Sequence, residues 1–161
     1  MDPGNGEELA ALPRAPYIIP MTPTLYNTAI LRLAAAIPLA GRLDGPQASV
    51  TRVSPVCGSR VIADVDLADG RVTRFAHDVR ACALGQAAAA LLGAGVIGAT
   101  PGELGAARDG LAAYLKGDAP TPGEWPGLEV FALARPHTAR HGSILLAFQA
   151  AADAATAATR L

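Results

Sequence analysis

Val61-Ile62-Ala63-Asp64-Val65-Asp66-Leu67-Ala68-Asp69-Gly70-Arg71-Val72-Thr73-Arg74-Phe75-Ala76-His77-Asp78-Val79 reads as one β-hairpin. Val61, Ala63, Val65 and Leu67 alternate with more polar neighbours, Asp69-Gly70 is a strong two-residue turn, and the returning strand runs from Arg71 to about Val79. Pairing Ala68 with Arg71 puts Val72 and Ala76 on the face of Val65 and Ala63, and His77 with Ile62 and Phe75 on the other. The first face is a core face and the second is mixed. The hairpin carries the chain from Cys57, in the turn-like Pro55-Val56-Cys57-Gly58-Ser59, to Cys82 in Arg80-Ala81-Cys82-Ala83. These are the only two cysteines of the protein, and a hairpin between them can bring the thiols together.

Upstream, Ala48, Val50 and Val53 suggest a first strand after the turn from Gly41 to Pro46. Before that turn, Leu25, Ile30, Leu33 and Ile37 fall near one helical face, with Thr24 as the expected N-cap and Pro38 as the stop. Residues 1–23 hold five prolines and no sustained periodicity, the signature of a disordered tail outside the fold. Translation is expected to begin naturally at Met21, with the first 20 residues dispensable.

Downstream, a helix is expected from about Ala83 to Leu92. Thr100-Pro101-Gly102-Glu103 then supplies an N-cap, a proline at the first helical position and a glutamate at the third, so a further helix runs to Lys116 and ends at Gly117. Asp118 to Pro126 is a proline-rich loop in which Trp125 is either a lid over the site or, as the favoured expectation, a plug against the core. Leu128 to Leu133 is short and apolar, and its length alone allows helix or strand. The last helix begins near Ser143 with Ile144, Leu145, Phe148, Ala151, Ala152 and Ala155 as its buried stripe. The order of elements predicts a single α+β domain over residues 24–161, a three-stranded antiparallel sheet covered on one face by helices.

The 161 residues suffice for one core, and the net charge of -1 with no basic block argues against a nucleic-acid or anionic-membrane partner. The longest apolar runs fall far short of the roughly 20 residues a membrane span needs. The amino terminus carries Asp2, Glu7 and Glu8 rather than a basic and then apolar signal segment, so a cytoplasmic, reducing location is expected. Two cysteines there read as free thiols or metal ligands rather than a disulfide.

Thiolate and imidazole are ligands that zinc and iron–sulfur clusters favour. Cys82, at the start of a helix, faces the positive end of the helix dipole. His141, in Thr138-Ala139-Arg140-His141-Gly142-Ser143, is the third candidate. No CxxC pair strengthens the metal reading, free cysteines are also at home as small buried hydrophobes, and His137 with His141 falls in a loop where helical spacing carries no weight.

Cys57-Gly58 after a first strand, a hairpin, Cys82 opening a helix, and His141-Gly142-Ser143-Ile144-Leu145 opening the last helix together resemble the U-type iron–sulfur cluster scaffold family, the NifU amino-terminal domain, IscU and SufU. The resemblance covers about Leu25 to Ala155, including the opening Leu25-Tyr26-Asn27. It implies helical structure at Leu128 to Leu133, a non-enzymatic role in iron–sulfur cluster assembly, and cysteine desulfurase and other assembly proteins as partners. The family's first and second cysteines fall on Cys57 and Cys82 and its histidine on His141. Its aspartate position is Ser59 and its third cysteine position is Gly142. What the resemblance leaves is a Cys2His set for zinc or a cluster, [2Fe–2S] by expectation. That cluster takes four protein ligands, so His77, Asp78, His137, a second subunit in a homodimer or a small thiol would complete it. A zinc-bound or metal-free relative that acts through protein binding, and a sulfur acceptor using Cys82 with His141 as base, are the alternatives.

Overall fold

The hairpin forms as its alternation predicts. In the computed structural model, which describes residues 24–161, β1 (Ala48–Val53), β2 (Arg60–Ala68) and β3 (Arg71–Arg80) make one antiparallel sheet in the order β1-β2-β3. Ala68 pairs with Arg71 across Asp69-Gly70, both with positive φ as a tight hairpin turn demands. The expectations for residues 1–23, a disordered tail and a start at Met21, lie outside the described residues.

One part of the register differs from strict alternation. Between the pairs Leu67↔Val72 and Asp66↔Arg74 the ladder carries a bulge, after which Val65 faces Phe75, Ala63 faces His77 and Val61 faces Val79. His77 and Phe75 therefore share the core face with Ala63 and Val65, and Ala76 joins Asp64 on the other, the reverse of the expected assignment. The cause is the polar pair Thr73-Arg74. A regular strand would carry Arg74 into the core and Phe75 out, and one extra residue leaves both Thr73 and Arg74 exposed and buries Phe75.

Six further elements complete the described residues. Helix α1 (Thr28–Ala35) starts one turn later than expected because Asn27, not Thr24, is its N-cap, with the Asn27 side chain accepting from the Ile30 N–H at 3.1 Å. Helix α2 (Ala83–Gly95) follows Cys82, and α3 (Pro101–Lys116) has the full Thr100–Glu103 capping box and a left-handed Gly117 at its end. Leu128–Ala134 is a 3-10 helix that buries Leu128, Phe131 and Ala134, and Thr138–Arg140 is a 3-10 turn leading directly into α4 (His141–Ala158). Helix α4 crosses the inner face of β1 and β2 and packs on α2 and α3, so its alanines and Phe148 form the centre of the core with Leu84, Leu92, Leu104 and Leu111. Trp125 donates its indole N–H to the Leu91 carbonyl at 2.9 Å and meets Phe148 edge-on, acting as the expected plug.

On the outer face, Asp64 is fully buried and accepts from Arg42 Nε at 2.7 Å, the Leu43 N–H at 3.0 Å and Ser49 Oγ at 2.6 Å. Burial alone would push this carboxyl up, but Arg42, Ser49 and the Leu43 N–H outweigh it and hold Asp64 below the usual carboxylate range. The carboxylate thereby pins the 42–43 turn to the sheet.

Candidate metal centre

The candidate site lies where three chain segments meet: the β1–β2 turn, the start of α2 and the start of α4. The turn from Ser54 to Ser59 is closed by its own backbone, with Gly58 N–H on the Ser54 carbonyl and Ser54 N–H on the Ser59 carbonyl, both at 2.8 Å. Gly58 takes φ +72, a conformation open to glycine, and leaves Cys57 at the exposed tip. Cys82 is the N-cap of α2 and is half-buried. Gly85, one turn on, permits the third approach. A Cβ there would lie 2.5 Å from Ser143 Oγ and 2.7 Å from the Ala81 Cβ, so only glycine lets α4 bring Ser143 against α2.

The result is a continuous line of polar atoms. Cys57 Sγ is 3.0 Å from Ser59 Oγ, Ser59 Oγ is 3.2 Å from Ser143 Oγ, and Ser143 Oγ is 3.4 Å from Cys82 Sγ. Ser54, Ser59 and Ser143 are all buried. The Cys57 thiol is lowered to about 7, first by the Ser59 hydroxyl, then by the Ser54 hydroxyl and the Ser59 N–H, with Ser143 adding to them against a small effect of burial. Hydroxyls supply this stabilisation as donors to the thiolate, the form of a cysteine that acts as a nucleophile or a soft ligand.

Gly142, where the resemblance places a third cysteine, is at the same place. A Cβ on it would point at Ser54 Oγ, 3.1 Å away. Ser59, at the aspartate position, is in the line itself. The structure thus gathers Cys57, Ser59, Cys82 and Gly142, and adds Ser54 and Ser143, which sequence reasoning missed. The signal for them was the hydroxyl residue flanking each candidate position, Ser54 before the turn and Ser143 after Gly142.

The imidazoles sit elsewhere. His141 Nε2 lies 3.0 Å from both the Ala134 and Arg135 carbonyls. Two carbonyl partners make that nitrogen the N–H donor, and Nδ1 carries the lone pair of the neutral ring. His77 is fully buried, with Nε2 on the Pro38 carbonyl at 2.9 Å, Nδ1 without a partner among the described residues, and its ring against Phe75. Burial pushes its pKa down, which keeps it neutral. It packs near Gly93, towards the far end of α2 from Cys82. Asp78 is on the outer face beside Arg60, and His137 is exposed at the start of the 3-10 turn. Among the described residues no three His, Cys, Asp or Glu side chains converge as a metal cluster does. A cavity of about 540 Å³ lined by Arg71, Ile97, Glu103 and Trp125 is at the end of α2 away from the thiols. No helix among the described residues is long and apolar enough to cross a membrane.

This fold and this placement of the cysteine positions define a class. The chain is 42% identical to a nitrogen-fixing NifU-like protein (N-terminal) from Brucella abortus, whose crystal structure superposes with a TM-score of 0.80 over 84% of this chain and 95% of that one. The chain belongs to the NifU-like amino-terminal-domain family. The same fold is seen in a candidate iron–sulfur cluster assembly scaffold protein for the SUF system from Fervidobacterium islandicum, at 15% identity and a TM-score of 0.75 over 81% of this chain and 96% of that one. No family model and no curated protein matches the chain.

Proposed function

We propose that the protein is a non-enzymatic scaffold in iron–sulfur cluster assembly that carries iron, a [2Fe–2S] cluster or zinc as cargo on Cys57 and Cys82, with His141, which is not gathered with the thiols before cargo binds, recruited as the third ligand through Nδ1. The observation that supports this most is the pair of thiols brought onto one hydroxyl line in a chain of the NifU-like family. The Nε2–H of His141 on two backbone carbonyls is the outer hydrogen bonding that metal-bound imidazoles make, and it fixes the tautomer that ligation needs.

Three protein ligands leave a cluster one short of the usual four. Ser59 and Gly142 remove an aspartate and a thiolate from the family's set, so cargo is held loosely and handed on. That suits a transient carrier working in the cytoplasm with a cysteine desulfurase and other assembly proteins, with a second copy or a small thiol supplying the remaining ligand. A sulfur-accepting thiol is the second reading, and the structure favours Cys57 over Cys82 for it, since Cys57 is exposed and its thiol is lowered to about 7.

The experiment is elemental analysis with a visible spectrum on protein purified without oxygen. Iron with sulfide, or zinc, near one equivalent is expected, with loss in both Cys57→Ala and Cys82→Ala. Full retention in both variants would refute the site. Gly142→Cys should raise metal retention, because its new side chain starts beside Ser54, at the base of the turn that carries Cys57. Persulfide on Cys57 without metal would instead support the second reading.

A further inference from the structure

We propose that the outer face of the sheet beside the thiols is a docking surface for a partner protein presenting carboxylates around an aliphatic side chain. The inference rests on the scaffold reading and names the face through which a partner reaches that site. In the row of the sheet nearest the thiols, Val53 faces Arg60 and Arg60 faces Arg80. Directly opposed residues share a face, and this one is opposite α4, because Arg52, the neighbour of Val53, turns the other way to pair with Asp153 of α4 at 3.2 Å. The row borders the site on all three strands. Ser54 follows Val53, Ser59 precedes Arg60, and Cys82 is two residues beyond Arg80.

Like charges opposed across strands destabilise a sheet. On the same face Arg42 and Arg74 are held by Asp64 and Asp66 at 2.7 and 2.8 Å. Arg60 has only a contact of 3.9 Å to Asp78, and its Nε has no acceptor among the described residues. Arg80 is exposed and makes no ion pair among them. The sheet thus pairs its arginines tightly away from the thiols and leaves beside them Arg60, with one long contact to Asp78, and Arg80, with no ion pair among the described residues. Arg80 is exposed and the Arg60 side chain is 38% exposed, so both can be reached by an external anion. Val53 and Val56, 55% and 74% exposed, add an apolar centre. Guanidinium groups around aliphatic contacts fit a partner with carboxylates around an aliphatic side chain, since arginine grips carboxylates with two parallel hydrogen bonds.

The test is a fluorescence-anisotropy titration of the full chain with a labelled peptide, Gly-Asp-Glu-Leu-Glu-Asp-Gly, beside its Asn and Gln counterpart. The acidic peptide should bind, the neutral one should not, and Arg60→Ser combined with Arg80→Glu should weaken binding by about tenfold. A control pair away from the row, Arg32→Ser with Arg71→Ser, should change it by less than about twofold. The peptide should also slow alkylation of Cys57 in the parent chain. Arg80→Ser alone, at an exposed position, is the second variant and should show a partial loss. Equal losses in both pairs, or binding that leaves Cys57 unprotected, would overturn the proposal. So would a concentration-dependent dimer abolished by the same pair, which gives the face to a second copy, or peptide binding seen only after residues 1–23 are deleted, which gives it to the chain's own amino-terminal segment. Metal content separates the two readings. If arginine variants keep their metal and Cys57→Ala loses it, both stand. If the parent chain holds no metal but still binds peptide through the row, the scaffold reading fails and the surface survives.

Discussion

Two buried polar groups flank the sheet, and they are built on opposite plans. Around Asp64 a full negative charge meets Arg42, a backbone N–H and the Ser49 hydroxyl, so its acceptors are answered within the fold. Around Ser59 and Ser143 the side-chain partners among the described residues are hydroxyls and thiols, with no charged group hydrogen-bonded to them, and the line ends in an exposed sulfur. A satisfied cluster pins elements together, whereas one whose end is open to solvent can take on a soft cation or an electrophile without first breaking the fold. The contrast separates structural from functional polarity more clearly than burial does, since Asp64, Ser59 and Ser143 are all buried.

Breaking the closed cluster should have the larger effect. Asp64→Ala is expected to cost about 3 kcal/mol of unfolding free energy, read by denaturant titration, because it frees the 42–43 turn and strands the Leu43 N–H and Ser49. The exposed half of Arg42 keeps the figure from being higher. The same carboxylate gives an acid limb. Its folded pKa lies below the unfolded value, so its contribution is complete above the ordinary Asp value of about 4 and is lost as pH falls through the lowered folded pKa. The acid limb should therefore weaken in Asp64→Asn.

Gly85→Ala comes next, at about 2 kcal/mol, since a methyl group cannot share space with Ser143 Oγ and the Ala81 Cβ. It should also separate Cys82 from Ser143 and lower metal retention, which a stability loss alone would not predict. The smallest effect on folding is Ser59→Ala, about 1 kcal/mol. Its chemical effect is large all the same. With the leading hydroxyl gone, the Cys57 thiol should rise towards its ordinary range, and its alkylation rate at pH 7 should fall by about tenfold. An unchanged rate would show that Ser54 and the backbone suffice.

Much of this was legible from local pattern. The hairpin turn at Asp69-Gly70, the Thr100 capping box and the order of cysteines and helices are short-range signals that later packing did not override. The face of His77 was not legible by strict alternation, because the bulge depends on which of Arg74 and Phe75 the core accepts. The doublet Thr73-Arg74 was the one hint. The start of α1 at Asn27 rather than Thr24 was a choice between two plausible caps, settled by which one reaches an N–H.

By itself the sequence determined the three strands, the helices that follow and the thiols at Cys57 and Cys82, since each rests on residue type and spacing, whereas Ser59 and Gly142 stand at ligand positions only by the family resemblance. Tertiary structure alone decided that Ser143 joins the thiols, that His77 is a packing residue while the His141 ring is turned to the Ala134 and Arg135 carbonyls, and that Arg60 and Arg80 face each other beside the site. Those facts depend on contacts between segments far apart in the chain, where a bulge of one residue or the absence of one Cβ sets which atoms meet.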